Sequence, residues 1–142
     1  MSEKGKAFEN KIAGWLKKED YYYERFFDSR SAGFITSARP ADYFVYHNKQ
    51  LYYIELKERQ SNKIQYSALT QLKGLNDKYR YGIFSFFIIG FNAGKDVVAI
   101  SSKQLYCHIM FTSIKKHITM EETLKIGIKI DGHSDLKKIL PL

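Results

Sequence analysis

Two acidic residues stand at a spacing that could do chemistry. Asp42 and Glu55 are 13 positions apart, and the apolar stretch between them predicts two strands joined by a tight turn at Asn48-Lys49. A two-residue turn there pairs His47 with Gln50, so the same register places Asp42 opposite Glu55. Like charges facing each other destabilise a strand pair. The hairpin therefore predicts a cation between the two acids, and a hard divalent ion fits oxygen ligands.

Lys57 lies two residues after Glu55, which places both side chains on the same face of the strand. This trio suits metal-assisted phosphodiester hydrolysis. The acids would hold Mg²⁺, for which Mn²⁺ can substitute, and the lysine would neutralise charge developing at phosphorus. The side chain of Leu56 points into the core, but its backbone carbonyl could serve as a further metal ligand.

A structural alternative is a surface hairpin in which Lys57 simply pairs with Glu55 or Asp42, because exposed charges are usually just solvated. The flanking residues are apolar on both faces, as in Tyr43 to Val45. That pattern favours a strand pair buried inside a sheet, where charges need a partner or a function.

Glu9 supplies a further acid from a predicted first helix. It sits beside the apolar stripe of that helix and could lean over the rim of the sheet to hold a metal-bound water. The alternative is an exposed helix carboxylate with Lys6 or Lys17 in reach.

The composition bounds the class of protein. The chain has 142 residues and a net charge of +8. This length predicts a single domain over residues 1–142, with its core at about 5–101 and a segment of uncertain role at 102–142. The positive charge favours a polyanionic partner, although a merely soluble basic surface would have the same composition.

Several other classes are disfavoured. Cys107 is the single cysteine, so no internal disulfide can form, and the four histidines give no zinc spacing. No glycine-rich phosphate loop occurs, which argues against a nucleotide cofactor. The amino terminus lacks a signal-like apolar region, and the longest apolar run is Ile83 to Phe91. We expect no membrane partner and a location in the cytoplasm of a bacterial, archaeal or phage-infected cell.

The predicted elements alternate between helices and strands. A helix over Gly5 to about Glu19 and a strand over Tyr21 to Arg30 precede a loop and the hairpin. A second helix is expected over about Gln65 to Tyr79, with Leu69, Leu72 and Leu75 inward, closed by Gly82. Buried strands follow at Ile83 to Phe91 and Asp96 to Ile100, joined at Asn92-Ala-Gly. The order predicts an α/β fold with a mixed β-sheet core and flanking helices, the restriction-endonuclease-like class.

Beyond Ser101 the pattern is weaker. A short helix over Lys103 to Ile109, a capping box at Thr119 to Glu122 and an edge strand over Ile126 to Ile130 are expected.

The chain resembles the PD-(D/E)xK nuclease superfamily, and within it the Holliday junction resolvases of the archaeal Hjc and bacterial RecU types. The residues that carry the resemblance are Gly5-Lys-Ala-Phe-Glu9, Arg30-Ser-Ala-Gly33, Pro40-Ala-Asp42, Glu55-Leu-Lys57 and Gln71. The resemblance implies that Asp42 and Glu55 bind the metal, that Lys57 acts on the attacking water or the transition state, and that Glu9 completes the acidic cluster. It further implies catalytic roles for Ser31, in the loop, and Gln71, in the following helix.

DNA contacts would come from basic residues around the acidic site, which hold phosphates without reading bases. The candidates are Lys4, Lys6, Arg25, Arg30, Arg39, Arg59, Lys63, Lys73 and Lys78.

The leading hypothesis is a Mg²⁺-dependent endonuclease that resolves four-way DNA junctions as a homodimer, because two opposed nicks need two sites. The expected dimer surface is an apolar edge near the Phe84 to Phe91 strand, or the carboxy-terminal segment. The alternatives are a nuclease of the same superfamily that acts on ends, flaps or duplex sites, and a non-catalytic DNA-binding module.

Overall fold

The computed structural model describes residues 3–26, 39–112 and 115–140, with the backbone alone for Glu3 and Lys4. The helices are α1 (Glu3–Lys18), α2 (Leu72–Asp77), the tight turn α3 (Phe91–Gly94), α4 (Ser102–Phe111) and α5 (Met120–Ile126). The strands are β1 (Tyr22–Arg25), β2 (Tyr43–His47), β3 (Gln50–Glu58), β4 (Lys63–Gln65), β5 (Phe84–Gly90), β6 (Asp96–Ser101), β7 (His117–Thr119) and β8 (Ile128–Ile130). Short 3₁₀ helices cover Tyr66–Ala68, Lys78–Tyr81 and His133–Lys138.

The main sheet has six strands in the order β1-β2-β3-β5-β6-β8. The β3 and β5 strands run parallel, and the other neighbouring pairs are antiparallel. Helices flank this mixed sheet, which confirms the predicted α/β class. The parallel pair needs a crossover connection, and β4, α2 and two 3₁₀ turns supply it.

The hairpin between β2 and β3 has the predicted register. His47 pairs with Gln50 and Tyr43 with Ile54, so position 42 lies next to the last pair of the ladder. Asn48 and Lys49 have φ values of 51° and 64°, the positive values that a two-residue type I′ turn requires.

Alternating residues of the sheet build two separate cores. On one face, Ile54 of β3 packs with Phe8, Ile12 and Leu16 of α1, which recur every four residues along the helix. On the other face, β5 and β6 pack against the apolar sides of α2, α4 and α5. The site residues lie where β3 reaches its carboxyl end between these two layers.

The predicted helix over Gln65 to Tyr79 is wrong as one continuous element. Leu69, Leu72 and Leu75 are buried as expected, but α2 covers only Leu72–Asp77 between two 3₁₀ turns. The segment before it is held extended because β4 pairs with β7, and Ile64 faces Ile118. That pairing joins distant parts of the chain and leaves no signal in the local sequence.

The remaining predictions are largely confirmed. The α1 helix, β5, β6 and α4 agree within a few residues, the capping box at Thr119 and Glu122 forms, and β8 is an edge strand. The strand predicted over Tyr21 to Arg30 is observed at Tyr22–Arg25, and residues 27–30 lie outside the described ranges. The expected apolar edge at β5 is wrong, since β5 is hydrogen-bonded to β3 and β6 on its two sides.

No helix in the described part of the chain has the length and apolar character needed to cross a membrane.

The positive φ of Lys49 generates a stability prediction. Glycine adopts left-handed backbone conformations without the steric cost that a Cβ atom imposes. We therefore expect Lys49→Gly to raise the free energy of unfolding by roughly 0.5 kcal/mol. This value already allows for the greater conformational entropy that glycine gives to the unfolded chain. Urea unfolding followed by circular dichroism measures this change, and Lys49→Ala is the control without a gain. A clear destabilisation by Lys49→Gly would contradict the turn geometry.

Candidate active site

Six of the residues predicted to act in catalysis or metal binding line one cavity of about 220 Å³ at the end of β3. They are Glu9, Asp42, Glu55, Leu56, Lys57 and Gln71. The hairpin register positions the residues of β2 and β3, α1 contributes Glu9, and Gln71 immediately precedes α2. Residues from four different segments therefore converge on this point.

Both oxygens of the Asp42 carboxylate are engaged. The backbone N–H of Leu56 donates to Oδ2 at 2.8 Å, and Nη2 of Arg39 lies 2.9 Å from Oδ1. Asp42 is 8% exposed, so these contacts replace water as partners of a buried charge. Arg39 was expected to contact DNA, and here it contacts the acidic site directly.

Glu55 is the most deeply buried of the acids, at 2% exposure. Burial raises the pKa of its carboxyl to about 8, with Asp42 as the second cause through a hydrogen bond and through charge repulsion. Lys57 opposes this shift, with its Nζ 3.5 Å from Oε2. The predicted convergence of two acids and a lysine is thus present in the geometry.

Glu9 reaches the same cavity from the helix side. The Tyr43 hydroxyl donates to its Oε1 at 2.8 Å, and Nε of Arg25 lies 3.0 Å from the same oxygen. Burial and the bond to Glu9 raise the pKa of Tyr43, so the phenol remains a donor. Glu9 is therefore buried at the cavity, as predicted, and the alternative of an exposed carboxylate near Lys6 or Lys17 is not the arrangement observed.

The acids suit a divalent ion that brings other ligands with it. Within residues 3–26, 39–112 and 115–140, no three His, Cys, Asp or Glu side chains group as a metal site, so Glu9 does not join Asp42 and Glu55 as a third ligand. Mg²⁺ commonly uses one or two carboxylates, completed by water and substrate phosphate. The Asp42–Glu55 pair and the Leu56 carbonyl fit that pattern. Glu58 lines the same cavity, and its Oε2 is buried without a hydrogen-bond partner among the residues that the structure describes.

Of the predicted DNA-contacting residues, Arg39 lines this cavity. Lys6, Lys63 and Lys73 are exposed, and the Arg59 guanidinium donates to the Glu58 carbonyl at 2.7 Å. Lys78 lines a second cavity together with Arg39 and Gln71.

Some predicted residues cannot be placed. Ser31 and Arg30 lie outside the described residues, and Lys4 belongs to α1 without a described side chain.

Two residues of the site were missed by the sequence analysis. Tyr43 was counted only as an apolar strand residue, although its neighbour Asp42 indicated that the strand end carries function. Glu58 follows Lys57 directly, and the run of charges at the end of a buried strand was the available signal.

The raised pKa of Glu55 predicts a pH-dependent effect of Glu55→Gln on stability. In the unfolded chain the carboxyl titrates near 4.5, and in the fold at about 8. The folded state therefore binds this proton more tightly than the unfolded state does. The stabilisation that the bound proton provides is lost as the pH rises from about 4.5 to about 8. We expect the variant to melt near the wild-type temperature at pH 5 and roughly 5 °C or more above it at pH 9 in EDTA.

Differential scanning calorimetry measures both melting temperatures. The control is Glu121→Gln, which changes an exposed carboxylate on α5 and should show the same difference from wild type at both pH values. A pH-independent offset for Glu55→Gln would show that Glu55 is ionised throughout the range.

Comparisons with known proteins identify the fold. No family model and no curated protein matches the chain. Among solved structures, the structure of this chain is similar to that of Hjc from Archaeoglobus fulgidus, a Holliday junction resolvase from an archaeal hyperthermophile. The TM-score is 0.62 at 17% sequence identity, over 89% of this chain and 97% of that chain. The six-stranded mixed sheet with its flanking helices is thus similar to the Hjc resolvase fold.

Proposed function

We propose that this protein is a Mg²⁺-dependent, structure-selective DNA endonuclease that resolves four-way junctions by paired nicks. The observation that carries the proposal is the burial of Asp42 beside Glu55, with Lys57 on the same strand face. Buried acidic side chains at the rim of a cavity are costly unless they serve a ligand or a reaction. The fold likeness to an archaeal junction resolvase supports the choice of substrate.

The chain's own residues divide the work of hydrolysis. Asp42, Glu55 and the Leu56 carbonyl would hold Mg²⁺, which polarises a phosphate oxygen and lowers the pKa of a bound water. Lys57 neutralises the charge that develops at phosphorus. Glu9 accepts a hydrogen bond from the attacking water and orients it.

The surface charge supports a nucleic-acid substrate. Exposed cationic residues such as Lys63 and Lys73, together with the half-buried Arg59, would hold flanking phosphates, which positions the duplex without reading its sequence. The net charge of +8 strengthens this attraction at low salt.

Resolution of a four-way junction requires two nicks placed symmetrically. We infer that the active species is a homodimer with one active site in each subunit, because an isologous dimer matches the twofold symmetry of the junction.

A panel of DNA substrates tests the proposal. Labelled four-way junction, flap, linear duplex and single strand are incubated with the protein in Mg²⁺, Mn²⁺ or EDTA. We expect paired symmetric nicks in the junction with either metal and no cutting in EDTA. Cutting mainly of flap or linear DNA would indicate another nuclease of the superfamily, and binding without cutting in any metal would indicate a non-catalytic module.

Substitution of the acids tests the site. Asp42→Asn and Glu55→Gln should lower the cleavage rate by on the order of 1000-fold, because each removes a metal-binding charge. Junction affinity, measured by gel shift in Ca²⁺ or EDTA, should stay within about threefold because phosphate contacts are separate from metal ligation. Glu121→Gln is the matched control and should cut at the wild-type rate. Retained cleavage by either acid variant would exclude this site.

A further inference from the structure

The Glu9 carboxylate is anchored at one oxygen by two donors from the first two strands. Tyr43 Oη and Arg25 Nε both contact Oε1, at 2.8 Å and 3.0 Å. Glu9 and Tyr43 are 7% and 6% exposed, while the Arg25 side chain is 52% exposed. Because exposed ion pairs contribute little, the buried phenol is the stronger of the two anchors.

This arrangement leaves the second carboxylate oxygen available to the cavity. In the described part of the chain, Oε2 of Glu9 has no hydrogen-bond partner, and Glu9 lines the cavity that holds Asp42 and Glu55. Tyr43 and Arg25 instead line a separate groove, beside α1 and β1. Oε1 is thus held by two residues of the groove, while Glu9 itself lines the acidic cavity.

The position of Tyr43 in β2 connects this anchor to the acidic pair. Tyr43 follows Asp42 directly, and successive side chains of a strand point to opposite faces. Tyr43 packs in the core on the α1 side, whereas Asp42 turns to the opposite face with Glu55. The same stretch of backbone therefore fixes both the acidic pair and the helix carboxylate.

We propose that Tyr43 is a positioning residue that, with help from Arg25, orients Glu9 so that its free oxygen meets the attacking water. This inference rests on the proposed nuclease function and assigns a role to a residue outside the acidic cluster. A glutamate has several rotatable bonds, and an anchored carboxylate avoids the orientational search that a free one must make in every turnover. A phenol suits this task because it donates a hydrogen bond without neutralising the acid.

A double-mutant cycle tests the inference. Tyr43→Phe removes only the hydroxyl, and we expect the single-turnover cleavage rate to fall about 10- to 100-fold, the range for a hydrogen bond to a charged group. The dissociation constant for the junction should not change. In a Glu9→Ala background, the same Tyr43→Phe change should alter the rate by less than about twofold, because its effect passes through Glu9.

Tyr23→Phe is the matched control. The Tyr23 ring contacts the Tyr43 ring with centroids 6.1 Å apart, but its hydroxyl forms no hydrogen bond to any described residue. We expect this variant to cleave at the wild-type rate. Arg25→Gln provides a second form of the same test. We expect a smaller loss of cleavage rate, which should also disappear in the Glu9→Ala background.

The outcomes separate failure of the inference from failure of the proposed function. A wild-type rate for Tyr43→Phe, or an equal loss with and without Glu9, would overturn the positioning role while the nuclease function stands. Absence of cleavage by the wild type on all DNA substrates would overturn both. Rates are compared well below each melting temperature, and if Tyr43→Phe does not fold, the Arg25→Gln cycle decides in the same way.

Discussion

The structure depends on the burial of two carboxylates at the same point. Asp42 and Glu55 are 8% and 2% exposed, and moving an ionised acid out of water costs several kcal/mol. The fold offsets this cost with the Leu56 N–H and the Arg39 guanidinium on Asp42. On Glu55 it uses Lys57, and burial raises the pKa of the Glu55 carboxyl to about 8. The cavity is therefore lined by acidic and cationic groups that stabilise one another.

The hairpin register is what brings these groups together. The turn at Asn48 and Lys49 fixes which residues of β2 and β3 face each other. A slip by one residue would move Glu55 to the face of the sheet that packs on α1, away from Asp42. The apolar residues of β3 oppose such a slip, because Ile54 would lose its place in the core. Hydrophobic packing thus holds the two acids close together, although electrostatic repulsion alone would separate them.

The sequence revealed the site better than it revealed the surrounding fold. Asp42, Glu55 and Lys57 could be placed because strand alternation and turn geometry are local rules. The pairing of Ile64 with Ile118 could not, since it joins positions far apart in the chain and no motif marks it. The orientation of Glu9 also depended on tertiary structure: helical spacing placed it near the sheet, but only the strand order brings the Tyr43 hydroxyl to it. Side-chain partners across elements are the information that local patterns lack.

Cationic side chains already contact the acids of the cavity, and they would affect how it binds a phosphate. Arg39 contacts an oxygen of Asp42, an oxygen that a metal ion would also use. If the site holds a divalent ion as proposed, Asp42 and Glu55 would be its carboxylate ligands, and Arg39, displaced from Asp42, would be free to contact a phosphate. Binding of such an ion would favour the ionised form of Glu55, because burial raises the pKa of this carboxyl to about 8 in the fold. The Arg39 guanidinium and the Lys57 ammonium therefore balance the acidic pair in this structure, and under the proposed function a bound ion would take over part of that role.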